Sequence, residues 1–133
     1  MVSGMGMTAK EKIEQAAPAF VAKLEGAKAE KWKAETMLIP SPKMIRESIA
    51  AIPPGVTKTV VQLRQELAEA NRADVTCPRA TTIGWLLVAE AAVEDAGDAT
   101  PWWRLTRDGK TEPKLPGGRE GQRARLAEEG VKV

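Results

Sequence analysis

The chain has 133 residues, 43% hydrophobic and 29% charged, a composition that supports a folded core and excludes a disordered polyelectrolyte. With no His and one Cys, it excludes imidazole catalysis, His-ligated metal sites, Cys-rich zinc sites and intrachain disulfides. The formal net charge of +2, with acids and bases interspersed, makes any nucleic-acid face a matter of local clustering.

The length predicts one domain with a short appendage, and a core of Leu, Ile, Val, Ala and four Trp, because there is one Phe and no Tyr. No apolar run approaches a membrane span, and the first seven residues lack the basic, apolar and small-residue order of an export signal. Together with a single unpaired thiol, this predicts a cytoplasmic protein with no membrane, metal or cofactor.

Residues 8–33 are rich in Ala, Lys and Glu, with Ile13, Ala16, Ala17, Phe20 and Leu24 at near-helical spacing. Thr8 with Glu11 forms a capping-box pattern, and Pro18 interrupts the run. The segment 1–35 is therefore expected to be a helical arm and polar linker, with packing or solubility as its role, and 36–133 to be the main domain. That domain opens with the short extended run Met37-Leu38-Ile39, ended by Pro40. Ser41-Pro42 places a serine cap before a proline at the first helical position. Met44, Ile45, Ser48, Ile49 and Ile52 give this helix its inner face, and Pro53-Pro54-Gly55 stops it.

Thr59 caps the next helix, in which Val60, Leu63, Leu67 and Ala70 recur at three- and four-residue steps to about Arg72. After Ala73-Asp74-Val75, a third helix is expected to start between Thr76 and Thr82 and to run to about Asp95. Its apolar positions are Ile83, Leu86, Leu87 and Ala91, with Trp85 as a further candidate. Its last turn is acidic (Glu90, Glu94, Asp95), against the sense of the helix dipole, so these acids are either solvated or face a polar partner. Trp102-Trp103-Arg104-Leu105-Thr106 reads as a strand and Asp108-Gly109 as a turn. A Pro- and Gly-containing loop follows, and a last helix from about Arg119 to Glu129 is closed by Gly130. Two consecutive helices followed by an extended segment predict a mainly α, winged helix-turn-helix-like domain with a short wing strand.

From Ile52 onward the chain resembles the DNA-binding domain of O6-alkylguanine-DNA alkyltransferases and their non-enzymatic relatives, the alkyltransferase-like proteins. Ile52-Pro53-x-Gly55-Val56 with Thr59 is similar to the family's Ile-Pro-x-Gly-x-Val-x-Thr segment. Ile83-Gly84 is similar to the Val-Gly of its recognition helix, and Pro101-Trp102-Trp103-Arg104-Leu105 to its Pro-Cys-His-Arg-Val motif. Gly109, Pro116-Gly117-Gly118, Gln122, Leu126 and Glu129-Gly130 resemble its ending. The resemblance implies a recognition helix in the minor groove of double-stranded DNA and a pocket for a flipped alkylguanine.

In the enzymes a cysteine thiolate takes the alkyl group, activated through a His, a water and a Glu. Here the cysteine position is Trp102 and the histidine position Trp103, while Glu129 matches the glutamate. An indole is neither nucleophile nor base, so alkyl transfer by that route is closed and a non-enzymatic protein is expected. Trp102, Trp103 and Glu129 then become the residues of the implied alkylbase pocket, with plain core packing as the alternative for both indoles. The family's tyrosine falls on Val60, its arginine finger near Thr81, with Arg79 two residues away, and its hinge asparagine near Glu94.

Thr57, Lys58 and Thr59 would stand at the first DNA-facing helix, and Thr76, Arg79, Thr81 and Thr82 at the start of the recognition helix. Arg64, Arg72, Arg104 and Arg107 would add positive charge, each with a solvated surface role as its alternative. Cys77, before Pro78 at a helix start, is the one conceivable relocated nucleophile, but no His is there to activate it, which favours an incidental thiol. Two further readings differ in class: a protein-interaction domain that keeps the fold without DNA contacts, and an alkyltransferase using Cys77. A repair protein is the partner that the resemblance implies.

Overall fold

Short-range signals set most of the helix boundaries in the computed structural model, which describes residues 7–133. The reading of the extreme N-terminus as free of an export signal falls largely outside those residues. Helix α1, Ala9–Gln15, is opened by the full Thr8/Glu11 capping box. Helix α3, Pro42–Ala50, is opened by Ser41, whose hydroxyl accepts from Met44 N, with Pro42 in the first turn. Helix α4, Val60–Ala70, is opened by a Thr59/Gln62 capping box. Helix α6, Gly118–Glu128, ends where Gly130 turns left-handed (φ 79°) and Val131 N reaches back to the Leu126 carbonyl.

Residues 8–35 depart from the expected interrupted helix. After α1 the chain forms strand β1, Phe20–Lys23, and then helix α2, Gly26–Trp32. β1 pairs antiparallel with β2, Thr36–Ile39, in the register Phe20↔Ile39 to Lys23↔Thr36. β2 also pairs in parallel with β4, Val75–Thr76, to give the order β1-β2-β4. A second, two-stranded parallel sheet joins β3, Lys58–Thr59, to β5, Leu105–Thr106. β1 stands only because β2 supplies its hydrogen bonds, a long-range cause that helical spacing cannot show. Nor does α1 hang free of the body: Ala9 and Ile13 are buried in the main core and the helix packs on α5, Pro78–Glu94.

The acidic end of α5 is explained by that packing. Ala9 N donates to Glu94 Oε2 at 3.2 Å, and Lys10 Nζ lies 3.8 Å from Asp95. The acids unfavourable to their own helix thus face the positive start of α1.

α5 is the central element, packed against α1 and α3. Its buried face is Thr81, Gly84, Trp85, Val88, Ala89 and Ala91, whereas Ile83 is 54% exposed, contrary to the apolar pattern expected. The face is set by Gly84: a Cβ there would meet Ile45 Cγ1 at 3.0 Å, so α3 approaches over the glycine and turns Ile83 outward. Trp85, Ile45, Ile49, Ile52, Leu63, Val88 and Leu105 close the core around it, each aliphatic side chain contributing roughly 1.5–3 kcal/mol of burial. The expected strand 102–106 is shorter than its pattern, since Trp102–Arg104 is a 3-10 turn and the strand is Leu105–Thr106.

The molecule is thus predominantly helical, with two small sheets. Among the described residues no helix is long and apolar enough to cross a membrane.

Candidate nucleic-acid interface

The 3-10 turn carries the two adjacent indoles to opposite fates. Trp102 is 3% exposed and packs in the main core, and its carbonyl accepts from Trp85 Nε1 at 3.0 Å. Trp103, half-buried, meets Trp102 edge-on, with ring centroids 5.5 Å apart. Its Nε1 donates to Glu129 Oε2 at 3.2 Å, and the guanidinium groups of Arg104 and Arg125 lie 5.6 and 4.9 Å from its ring centre.

Glu129 is held from several sides. Arg104 donates to it from Nε and Nη2, the latter at 2.6 Å, and Gly55 N donates at 3.2 Å. Arg104 Nη1 donates to the Ile52 carbonyl at 2.7 Å. The Arg104 hydrogen bonds, opposed by burial and reinforced by Gly55, Trp103 and the arginine charge, hold the Glu129 carboxyl down to about 2. The three residues assigned to an alkylbase pocket are therefore brought together, Trp102 against Trp103 and Trp103 against Glu129. Trp103 Nε1 and the Glu129 carboxylate are spent on each other and, for Glu129, on Arg104 and Gly55, while Trp102 is covered by core. In this conformation the cluster clamps the end of α6 to the loop after α3 and offers no open face on which a base could stack.

Three of the assigned DNA contacts are likewise turned inward. Thr81 is fully buried and its hydroxyl donates to the Cys77 carbonyl at 2.8 Å. Thr76, 4% exposed, lies in β4 ahead of the helix and donates to the Arg64 carbonyl at 2.8 Å. Arg104 is consumed by Glu129 and Ile52. None of the three can present a donor to phosphate, because each side chain fills a hydrogen-bonding role inside the fold. Cys77 is the N-cap of α5, its Sγ accepting from Ala80 N at 3.5 Å, and it packs on the small cluster of Leu24, Ala34 and Met37.

The remaining assigned residues face outward. Thr57 and Arg79 are exposed, Lys58 is paired with Glu66, and Thr59 is occupied by its capping box. Arg64 and Thr82 meet in a notch of about 130 Å3, lined by Val60, Val61, Arg64, Pro78, Thr82, Arg107 and Asp108. The first turns of α4 and α5 form two of its walls, and the turn at residues 107–110 forms the third.

That turn is closed by reciprocal backbone bonds between Arg107 and Lys110, with Asp108 and Gly109 both left-handed (φ 52° and 81°). Arg107 Nη2 donates to Thr82 Oγ1 at 3.2 Å and its Nε to Glu112. Arg64 Nε is buried without a hydrogen-bond partner. Two arginines and a hydroxyl converge here beside the capped first turns of two helices, with Asp108 as the carboxylate of the lining and Glu112 bonded to Arg107. Such an arrangement suits an oxyanion of phosphate size. The sequence named Arg64, Thr82 and Arg107 separately, and their meeting depends on β5 pairing with β3.

No protein-family model matches the chain, and neither the curated proteins nor the solved structures contain a protein found to be similar to it.

Proposed function

We propose that the chain is a non-catalytic, alkyltransferase-like DNA-binding protein, in which α4 and α5 act as the helix-turn-helix and the 107–110 turn as its wing. One observation carries this reading: the notch at the shared mouth of α4 and α5, which Arg64, Thr82 and Arg107 line together, with Arg64 in no ion pair among the described residues. Arg64 forms no ion pair among the described residues, so its guanidinium carries a charge that a phosphate oxygen at the notch would answer with a charge-assisted hydrogen bond. The resemblance adds support, because the positions matched to the family's histidine and glutamate, Trp103 and Glu129, are hydrogen-bonded partners here. With indoles in the acceptor and base positions the protein takes no alkyl group, and the reading leaves Cys77 a free thiol in a reducing cytoplasm.

The test is titration of a fluorescent duplex, with and without O6-methylguanine, at several salt concentrations. Binding that weakens with salt is expected, with Arg64→Gln losing roughly tenfold at 0.1 M salt if one phosphate contact goes. Tighter binding of the methylguanine duplex would establish lesion recognition. No binding of either duplex at low salt would refute the proposal, and a methyl adduct on the polypeptide would refute its non-catalytic part.

A protein-interaction role is favoured by a separate observation. β1 is a sheet edge that leaves Phe20 55% and Val21 43% exposed, and this is where the repair partner implied by the resemblance would dock. Loss of a partner on Phe20→Asp with DNA affinity intact would assign the two roles to different faces.

A further inference from the structure

A larger cleft of about 480 Å3 lies on the other side of the 107–110 turn, lined by Arg107, Asp108, Lys110, Thr111, Pro113, Arg119, Arg123 and Val133. Four cationic side chains from the turn and the first turns of α6 face it against the one carboxylate of Asp108. Glu112 offsets one of them, since its carboxylate accepts from Arg107 Nε and from Lys114 N, and it leaves Lys110, Arg119 and Arg123 to set the charge of the cleft. Arg119 and Lys110 make no ion pair among the described residues, while Arg123 holds Glu120 at 2.7 Å and reaches the Val133 main-chain oxygen at 3.4 Å. Arg107 and Asp108 line both this cleft and the notch at Arg64, so the two cavities are contiguous around the turn.

We propose that this cleft is a second seat for the DNA backbone, so that a duplex lying on the helix pair continues over the turn and onto α6. The proposal rests on the DNA-binding reading and extends it to residues that the helix-turn-helix pattern does not include. Its chemistry is that of a phosphodiester chain. The cations are exposed, belong to two separate elements and line an open cleft, which fits successive charges along a strand better than one enclosed anion. Arg119 and Arg123, four residues apart on α6, stand on one face of the helix and present adjacent guanidinium groups.

The experiment compares wild type, the double variant Arg119→Gln/Arg123→Gln, the single variant Arg64→Gln and, as a control remote from both cavities, Lys31→Gln on α2. Each is titrated with a labelled duplex of about 20 base pairs, long enough to span both seats, as salt is raised through the physiological range. The double variant is expected to lower the slope of log affinity against log salt by about 1.8, and affinity at 0.1 M salt by roughly eightfold per arginine. Lys31→Gln should behave as wild type. Thermal melting monitors folding, and Lys110→Glu, on the opposite wall, gives a second route to the same loss. If wild type binds, Arg64→Gln weakens it, and neither the double variant nor Lys110→Glu changes slope or affinity, the second seat is overturned while DNA binding stands. If wild type itself does not bind, the DNA-binding reading fails and this one with it.

Discussion

The cluster around Glu129 and the notch around Arg64 both set arginine beside helix ends, but they differ in how their hydrogen bonds close. At the cluster, Glu129 accepts from Arg104, Trp103 and Gly55, and the third nitrogen of Arg104 donates to the Ile52 carbonyl. At the notch, Arg64 Nε is buried without a partner, and Arg107 and Thr82 share a single bond. Where each guanidinium nitrogen is answered inside the chain the arrangement stabilises the fold. Where a charged side chain has no ion-pair partner inside the chain, as with Arg64, its charge is left for a partner outside. The resemblance points to the first region as the seat of chemistry, but the unsatisfied groups lie in the second.

This contrast can be broken most sharply at Arg104. Arg104→Ala removes one partner of an ion pair whose side chains are each 13% exposed, and should cost about 3–5 kcal/mol by urea unfolding. A loss below about 1 kcal/mol would mean that the cluster is not structural.

Acid should act on the same pair. Glu129 is held at about 2 in the folded protein against an ordinary 4.5, so its stabilisation is complete above about pH 4.5 and fades as pH falls toward 2. A drop of up to about 3 kcal/mol is expected across that window. Glu129→Gln should flatten it, and an unchanged acid profile in that variant would assign the drop to other carboxylates. Trp103→Phe keeps the ring between two guanidinium groups but removes the indole donor, at a cost of about 1–2 kcal/mol. Equal stability would show that stacking alone holds the ring.

The notch side predicts smaller changes in stability. Thr59→Ala should cost about 1 kcal/mol through the lost cap of α4, read as a lowered melting temperature. Arg64→Gln should leave stability within about 0.5 kcal/mol while DNA affinity falls, because the atom removed had no partner. Destabilisation by 2 kcal/mol or more would place Arg64 with Arg104 as a structural residue, and the comparison would collapse.

What was legible in advance follows the range of the forces involved. Thr8 with Glu11, Ser41 with Pro42, Thr59 with Gln62, Asp108 with Gly109, and Gly130 all announce ends and turns, because a cap or a left-handed residue acts within four positions of itself. β1 was hidden, because Phe20 also fits the helical spacing from Ile13 to Leu24 and a four-residue run shows no face of its own until β2 lies beside it. The apolar spacing of α5 points Ile83 inward where the fold exposes it, and the DNA assignment needs Thr76 and Thr81 outside where the fold buries them. A helix interior with apolar residues on several sides has no inner face until Gly84 admits Ile45.

The sequence by itself determined the helix caps, the stop signals and the absence of a nucleophile at residue 102, for these depend on residue type and near neighbours. Which arginine is consumed and which is left free was decided only by tertiary structure. Arg104 lies next to Glu129, 25 residues on, only after α6 has packed against the 3-10 turn. Arg64, Thr82 and Arg107 meet only after β5 has paired with β3. Hydrogen-bond satisfaction is a property of what folding brings within about 3 Å, and no local pattern encodes it.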